Sequence, residues 1–124
     1  MHLKNFKITK RAEYQRLSEG ASRVVGKCFT ILYKNSKQEE VNKFRFGITV
    51  SKKVGNAVKR NRYKRIIRVL VRDVCIKKKR YSSVSINVIA RKFIVRESFS
   101  SIKRDFTFCL NKIFAHEKRH IKNS

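Results

Sequence analysis

The sequence predicts a small α+β domain, a two-layer α/β sandwich whose elements follow the order helix, strand, strand, helix, strand, helix. Residues 44–51 alternate between apolar and polar side chains, which is typical of a strand buried on one face. From Asn56 onward, apolar residues recur at three- and four-residue spacing, which is typical of a helix packed on a core. The 124 residues contain no proline and only four glycines, so we expect one domain over residues 1–124 without an interdomain linker.

The first half of the chain is predicted to contain one helix and two strands. Residues 1–9 form a flexible basic arm ahead of a helix over residues 10–19. Residues 27–34 are rich in β-branched and aromatic types and predict a strand. A polar hairpin tip over residues 35–42 connects it to the strand at 44–51. In that second strand the side chains expected to face the core are Phe44, Phe46, Ile48 and Val50.

The second half is predicted to contain a helix, a strand and a last helix. Asn56 is a plausible N-cap for the first of these helices. A basic turn over residues 77–83 leads into a strand over residues 84–90, and the last helix covers residues 98–114. Its buried stripe is expected to consist of Phe99, Ile102, Phe106, Cys109, Leu110 and Ile113. Residues 116–124 are polar, and we expect a frayed tail there.

Charge is the most unusual feature of the composition. Lys and Arg number 33 against 8 Asp and Glu, which gives a formal net charge of +25. Repulsion of that size destabilises a compact chain, so a polyanionic partner is expected in the working state. Hydrophobic residues make up 41% of the chain, which is too much for a disordered basic tail. A folded domain that binds nucleic acid is therefore the first hypothesis.

The cysteines and the apolar runs point to the cytoplasm. Cys28, Cys75 and Cys109 are odd in number, widely spaced and set in apolar patterns, which favours reduced core thiols over a disulfide frame or a zinc site. We find no apolar run long enough for a membrane span and no secretory signal at the N-terminus.

The stretch from Ser51 to Arg72 combines an apolar stripe with a strip of cations. No acidic residue occurs within it, and arginine, whose planar fork matches phosphate, predominates among the cations. A merely solvated helix face usually mixes both signs of charge, so we favour polyanion binding over that alternative. The residues of this cationic strip are Arg60, Asn61, Lys64, Arg65, Arg68 and Arg72, and Lys52, Lys53 and Asn56 precede them as further candidates for polyanion binding.

Helices packed mainly on one face of the sheet would leave its other face open. Phe29, Ile31 and Tyr33 share one side of the first strand and are candidates for that open face, beside the helix that carries Tyr14. There they would stack on unpaired bases. The alternative is that they are ordinary core residues.

The run from Lys53 to Arg68, KVGNAVKRNRYKRIIR, resembles the RNR signature of the bacterial ribonuclease P protein component. The preceding FGITVSK and the AEYQRL near the start also resemble that family, and the likeness extends to about residue 114. Two positions depart from the family pattern: Tyr14 stands where a phenylalanine is usual, and Ser18 where a second aromatic is frequent.

The resemblance implies a subunit of the ribonucleoprotein that removes the 5′ leader from precursor tRNA. It implies that a catalytic ribonuclease P RNA performs the Mg²⁺-dependent hydrolysis and that the protein assists. The signature helix would face that RNA, and the matching RNA-binding positions are Lys53, Arg60, Asn61, Arg62, Lys64, Arg65 and Arg68. A cleft lined by Tyr14, Ile31 and Tyr33, with Phe29 adjacent, would hold the single-stranded leader. The implied fold is that of ribosomal protein S5 domain 2, with a left-handed β-α-β crossover, against the usual preference.

We expect neither a catalytic residue nor a metal site on the protein itself. Residues 116–120 match the HExxH pattern of zinc proteases, but they lie in the polar tail and lack a third ligand downstream. Two other functions remain as alternatives: a structural RNA-binding protein of the ribosomal type, and a protein that binds anionic membranes. The apolar stripe of the central helix is assigned to the core, which disfavours membrane binding, and DNA is not an expected partner.

Overall fold

A computed structural model describes residues 6–35, 44–77 and 84–122, with side chains up to residue 115. Among these residues the helices are α1 (Arg11–Ser18), α2 (Ala57–Leu70) and α3 (Phe99–Lys122). The strands are β1 (Ser22–Val25), β2 (Phe29–Asn35), β3 (Arg45–Thr49) and β4 (Val84–Ala90). A π-helical turn (Val71–Ile76) continues α2, and a 3₁₀ segment (Lys92–Arg96) precedes α3. The predicted α+β class is confirmed.

The described strands form one sheet in the order β1-β2-β4-β3. β2 pairs antiparallel with β1 and β4, whereas β3 and β4 are parallel neighbours connected through α2. The predicted set of three strands is wrong because β1 is a fourth. Four residues are too few for an alternation to be visible, and β1 forms because its register with β2, from Ser22 opposite Tyr33 to Val25 opposite Thr30, satisfies its backbone. The left hand of the β3-α2-β4 crossover remains a prediction.

One face of the sheet carries the core, under α2 and α3. The inward residues predicted for β3 are confirmed, since Phe44, Phe46 and Val50 are buried and Ile48 packs against the core. The α3 stripe is confirmed from Ile102 onward, but Phe99 is 49% exposed because it occupies the first position of the helix, beyond the core. The α3 backbone also continues to Lys122, well past the predicted end at residue 114.

Part of the predicted basic arm belongs to the fold. The Ile8 amide donates a 2.7 Å hydrogen bond to the Phe46 carbonyl, and the Ile8 side chain is buried. The Phe6 ring lies 6.3 Å from that of Phe44. Apolar side chains at Phe6 and Ile8 therefore hold the segment against β3 in spite of its charge.

Other predictions fall outside the described residues. The hairpin tip is described only at Asn35, and the basic turn only at Lys77. The HExxH side chains also lie beyond the last described side chain. Within the described ranges, the helices lack the combination of length and low polarity that crossing a bilayer requires.

The three cysteines are buried thiols that form no disulfide, as predicted. Burial, reinforced by the nearby Asp105 carboxylate, raises the pKa of the Cys28 thiol to about 11 and that of the Cys109 thiol to about 12. Both thiols are therefore neutral in the folded protein at physiological pH.

We predict that these two thiols make the protein less stable in alkali. The folded pKa values are raised, so the unfolded thiols, with an ordinary pKa near 8.5, ionise first. The contribution is therefore complete below about pH 8 and is lost as the pH rises toward 11. Urea unfolding at pH 8 and pH 10 should show a loss of about 1–2 kcal/mol per thiol. The Cys28→Ala, Cys109→Ala double variant should lack this part of the pH dependence; an identical pH dependence in both proteins would contradict the prediction.

Candidate nucleic-acid interface

A short loop positions the N-terminus of α2. Val54 is buried and anchors the loop, while Lys52 and Lys53 beside it are exposed. Gly55 has φ 151°, a conformation that side chains disfavour, and a Cβ there would lie 2.8 Å from Cδ of Lys59. The predicted cap is confirmed, because Oδ1 of Asn56 accepts a 3.0 Å hydrogen bond from the Lys59 amide.

The apolar side of α2 fixes which way the helix faces. Ile67 and Leu70 are fully buried, and Tyr63 and Ile66 pack against the same core. The π-helical turn extends this anchor by one further buried layer, with Val74 among its residues. The stripe predicted from the sequence is therefore the buried side of the helix.

The other side of α2 is a strip of cations. Arg60, Lys64 and Arg68 follow one another at four-residue spacing and are partly exposed, and Arg65, on the neighbouring row, is exposed. We call the following residues the α2 strip: Lys52, Lys53, Asn56, Arg60, Asn61, Arg62, Lys64, Arg65 and Arg68. The structure brings these predicted residues together on one helix and its leading loop, although Arg62 lies on the far flank from Arg60.

Few of these cations are neutralised within the protein. Nη1 of Arg60 donates a 3.0 Å hydrogen bond to the Gly55 carbonyl. Arg72, beyond the strip, pairs with Asp73 at 3.2 Å, and this hydrogen bond lowers the pKa of the Asp73 carboxyl group. For Arg62, Lys64, Arg65 and Arg68, no ion pair or side-chain hydrogen bond occurs within the part of the chain that the structure describes.

The charges of the strip oppose formation of the helix that carries them. Like charges at four-residue spacing repel, and the first turn of α2 contains no acidic residue to complement the positive end of the helix dipole. An anion bound along the strip would remove both penalties. Phosphate groups spaced along an RNA backbone are anions of the required kind.

Among the described residues, α1 is the element that covers the opposite sheet face. The Tyr14 ring lies over Gly47, where a Cβ would be 2.8 Å from Cζ of the ring. Its hydroxyl accepts a 3.1 Å hydrogen bond from the Ile48 amide. Beside it, Arg45 donates two hydrogen bonds, of 2.8 and 2.7 Å, to the Glu13 carboxylate. These contacts tie α1 to β3, and α1 also packs over β2 and β4. The residues of this face that remain partly exposed beyond α1 are called the open face.

The predicted lining of the leader cleft is wrong for three of its four residues. Phe29 and Ile31 are fully buried and Tyr33 is 9% exposed, all on the face covered by α3. The Phe29 ring packs edge-on against Phe106, with centroids 5.6 Å apart. The strand alternates as predicted, but packing assigned its larger side chains to the core. Of the four, only Tyr14 lies at the open face.

The residues that do line the open face were missed by the sequence analysis. They belong to the other side of each strand and are partly exposed: Thr30, Leu32, Thr49, Asn87 and Ile89. The Thr49 hydroxyl donates a 3.0 Å hydrogen bond to Oδ1 of Asn87. The sequence could have indicated these residues, because each strand alternates between a larger apolar set and a smaller, more polar set. A sheet face that is partly open to solvent favours the second set.

Comparison with known proteins identifies the family. The ribonuclease P family model matches residues 3–114 of the chain. The chain belongs to the ribonuclease P protein family.

Relatives and solved structures agree with this membership. The ribonuclease P protein component of Bacillus cereus strain Q1 is 35% identical over 101 residues, which cover 82% of this chain and 84% of that protein. A Staphylococcus aureus RNase P protein structure superimposes with a TM-score of 0.76 at 32% identity, covering 87% of this chain and 94% of that one. The RNase P protein from Thermotoga maritima, at 23% identity and a TM-score of 0.73 over 86% of this chain and 96% of that one, shares the fold. Membership gives the chain a role in ribonuclease P, and hence in RNA binding and tRNA processing.

We predict that Gly47→Ala destabilises this ribonuclease P protein through a clash with Tyr14. Overpacking of this kind costs about 1–3 kcal/mol, and urea unfolding should measure it. A double-mutant cycle with Tyr14→Ala is the control, since the added methyl group should cost much less once the ring is gone. Equal costs in the two backgrounds would show that the ring does not press on Gly47.

Proposed function

We propose that this chain is the protein subunit of ribonuclease P and that the α2 strip binds the catalytic ribonuclease P RNA. The observation that carries the proposal is the set of unneutralised cations on a helix whose other side is anchored in the core. Arginine forks along such a helix suit the closely spaced phosphates of a folded RNA. Family membership favours this RNA over the ribosomal alternative.

The open sheet face is proposed to hold the 5′ leader of precursor tRNA. It offers the Asn87 amide, the Thr30 and Thr49 hydroxyl groups and the aliphatic side chains of Leu32 and Ile89. Tyr14 borders this face with its hydroxyl group engaged by Ile48, so it contributes a ring edge rather than a free hydrogen-bond donor. On this chain the leader would be held by polar and aliphatic contacts more than by aromatic stacking.

Mg²⁺ and the hydrolytic chemistry are proposed to reside on the RNA subunit. The described carboxylates do not form a metal-binding set, because four of them are each held by a different ion pair or hydrogen bond. Glu13 pairs with Arg45, Asp73 with Arg72, Glu97 with Lys27, and Asp105 with two backbone amides. The residues described offer no group of three side chains suited to a metal ion. The particle would act in the cytoplasm on precursor tRNA.

Removing charge from the α2 strip should weaken binding to the catalytic RNA. The variant Arg60→Ala, Arg65→Ala, Arg68→Ala should reduce the slope of log K against log salt by about two to three, because up to three phosphate contacts are lost. Filter binding over a range of salt concentrations measures the slope. The control removes the same charge elsewhere, with Arg11→Ala, Arg16→Ala, Arg23→Ala. This variant should retain most of the wild-type salt slope. An unchanged slope in the α2 variant would show that the strip does not face the RNA.

The purified chain should leave precursor tRNA intact when the RNA subunit is absent. Adding the chain to ribonuclease P RNA should lower the Mg²⁺ concentration needed for cleavage, since the protein neutralises phosphate repulsion and holds the leader. Gel analysis of the released leader measures both effects. Metal-dependent cleavage by RNA-free chain would contradict the assignment of chemistry to the RNA. No effect of the chain on the Mg²⁺ requirement would instead favour the structural RNA-binding alternative.

A further inference from the structure

Three phenylalanines are exposed in the C-terminal part of the described chain. Phe93, Phe99 and Phe108 are 40%, 49% and 50% exposed, whereas Phe29 and Phe106 are fully buried. A single exposed phenylalanine is ordinary. Three exposed phenylalanines within the 3₁₀ segment and α3 of one short chain indicate a binding surface that uses aromatic rings.

Cations lie over two of these rings. Cζ of Arg91 is 5.1 Å and Nζ of Lys92 is 5.4 Å from the centroid of Phe93. Nζ of Lys112 is 4.6 Å from the centroid of Phe108. Cation–π contact of this kind restrains the rings at the surface and surrounds them with positive charge. Helix α2 differs, because its only aromatic residue, Tyr63, packs against the core.

The elements that carry the two rings are both bonded to the β1–β2 turn. Nη1 of Arg91, two residues before Phe93, donates a 2.6 Å hydrogen bond to the Gly26 carbonyl. The Asp105 carboxylate, three residues before Phe108, accepts hydrogen bonds of 2.9 Å from the amides of Lys27 and Cys28. The 3₁₀ segment and α3 are therefore held to the same turn, and each exposes a ring close in sequence to its point of attachment.

The acidic residues of this surface are engaged internally. Glu97 pairs with Lys27 at 3.1 Å, and Asp105 is bonded to the turn. The exposed cations around the rings are Lys92, Arg96, Lys103, Arg104 and Lys112. The net outward charge is positive, which suits a polyanion and disfavours a second copy of this strongly cationic chain.

We propose that this surface, the aromatic edge (Lys92, Phe93, Arg104, Phe108 and Lys112), binds unpaired RNA nucleotides by stacking. Exposed rings accept any unpaired base, whereas the bases of a duplex are already stacked on one another. α3 packs at the β1 side of the sheet and α2 at the β3 side. Three strand spacings, about 14 Å, separate those two sheet edges, so one protein contacts two RNA segments at once.

The test is the binding of the full chain to a labelled, unstructured oligouridine of about 12 nucleotides, followed by fluorescence anisotropy at low and high salt. Phe93→Leu, Phe108→Leu should weaken binding about tenfold. The loss should be similar at both salt concentrations, since salt does not screen stacking. Val58→Ala, which trims an exposed apolar residue of α2, is the matched control and should bind normally. Phe93→Trp, Phe108→Trp should retain binding because it restores the rings.

Equal affinity of the leucine variant and the wild type at both salt concentrations would overturn the proposal. So would a wild-type dimer in sedimentation that the leucine variant abolishes without a change in RNA affinity, because the surface would then be a self-interface. If urea unfolding shows that the leucine variant is unfolded, Arg104→Gln, Lys112→Gln must weaken oligouridine binding more than the Val58→Ala control. The substituted residues lie outside the open sheet face and the α2 strip, so an unchanged affinity of the leucine variant would overturn this proposal and leave the function proposed above standing.

Discussion

Burial of one side of α2 is the constraint on which the cationic surface proposed to bind RNA depends. Ile67 and Leu70 are fully enclosed, and burying a side chain of this size contributes roughly 1.5–3 kcal/mol. Repulsion between neighbouring cations at four-residue spacing costs only a few tenths of a kcal/mol per pair, roughly. The anchor therefore prevails, and α2 keeps its arginines outward before any RNA is bound. Such preorganisation reduces the ordering cost of binding.

The two faces of the sheet carry different kinds of side chain. Phe29 and Ile31 stabilise the core under α3, so the other face is left to smaller residues such as Thr30 and Asn87. Tyr14 is held by Gly47 and Ile48 rather than left free to stack. Exposed aromatic rings are found instead along the 3₁₀ segment and α3. The polar contacts proposed for the leader and the stacking proposed for the aromatic edge therefore lie on different parts of one small domain.

A chain of net charge +25 folds because its few acidic residues are placed where they fix geometry. Glu13 holds α1 to β3 through Arg45, and Asp105 holds the β1–β2 turn against α3. These carboxylates do little to neutralise the surface, which remains strongly positive. The unneutralised charge destabilises the free protein and draws it toward RNA, so the same feature limits stability and promotes association.

The sequence by itself determined the α+β class, the alternation of β3, the cap at Asn56 and the cationic side of α2. Each of these depends on local periodicity or on one residue's hydrogen-bonding chemistry, which neighbouring residues in the chain already specify. Only the tertiary structure decided that β1 forms, that Phe6 and Ile8 dock on β3, and that Phe29, Ile31 and Tyr33 lie in the core. Alternation separates the two faces of a strand but does not say which one a distant helix will cover. That choice depends on packing against Phe106, which lies more than seventy residues away in the chain.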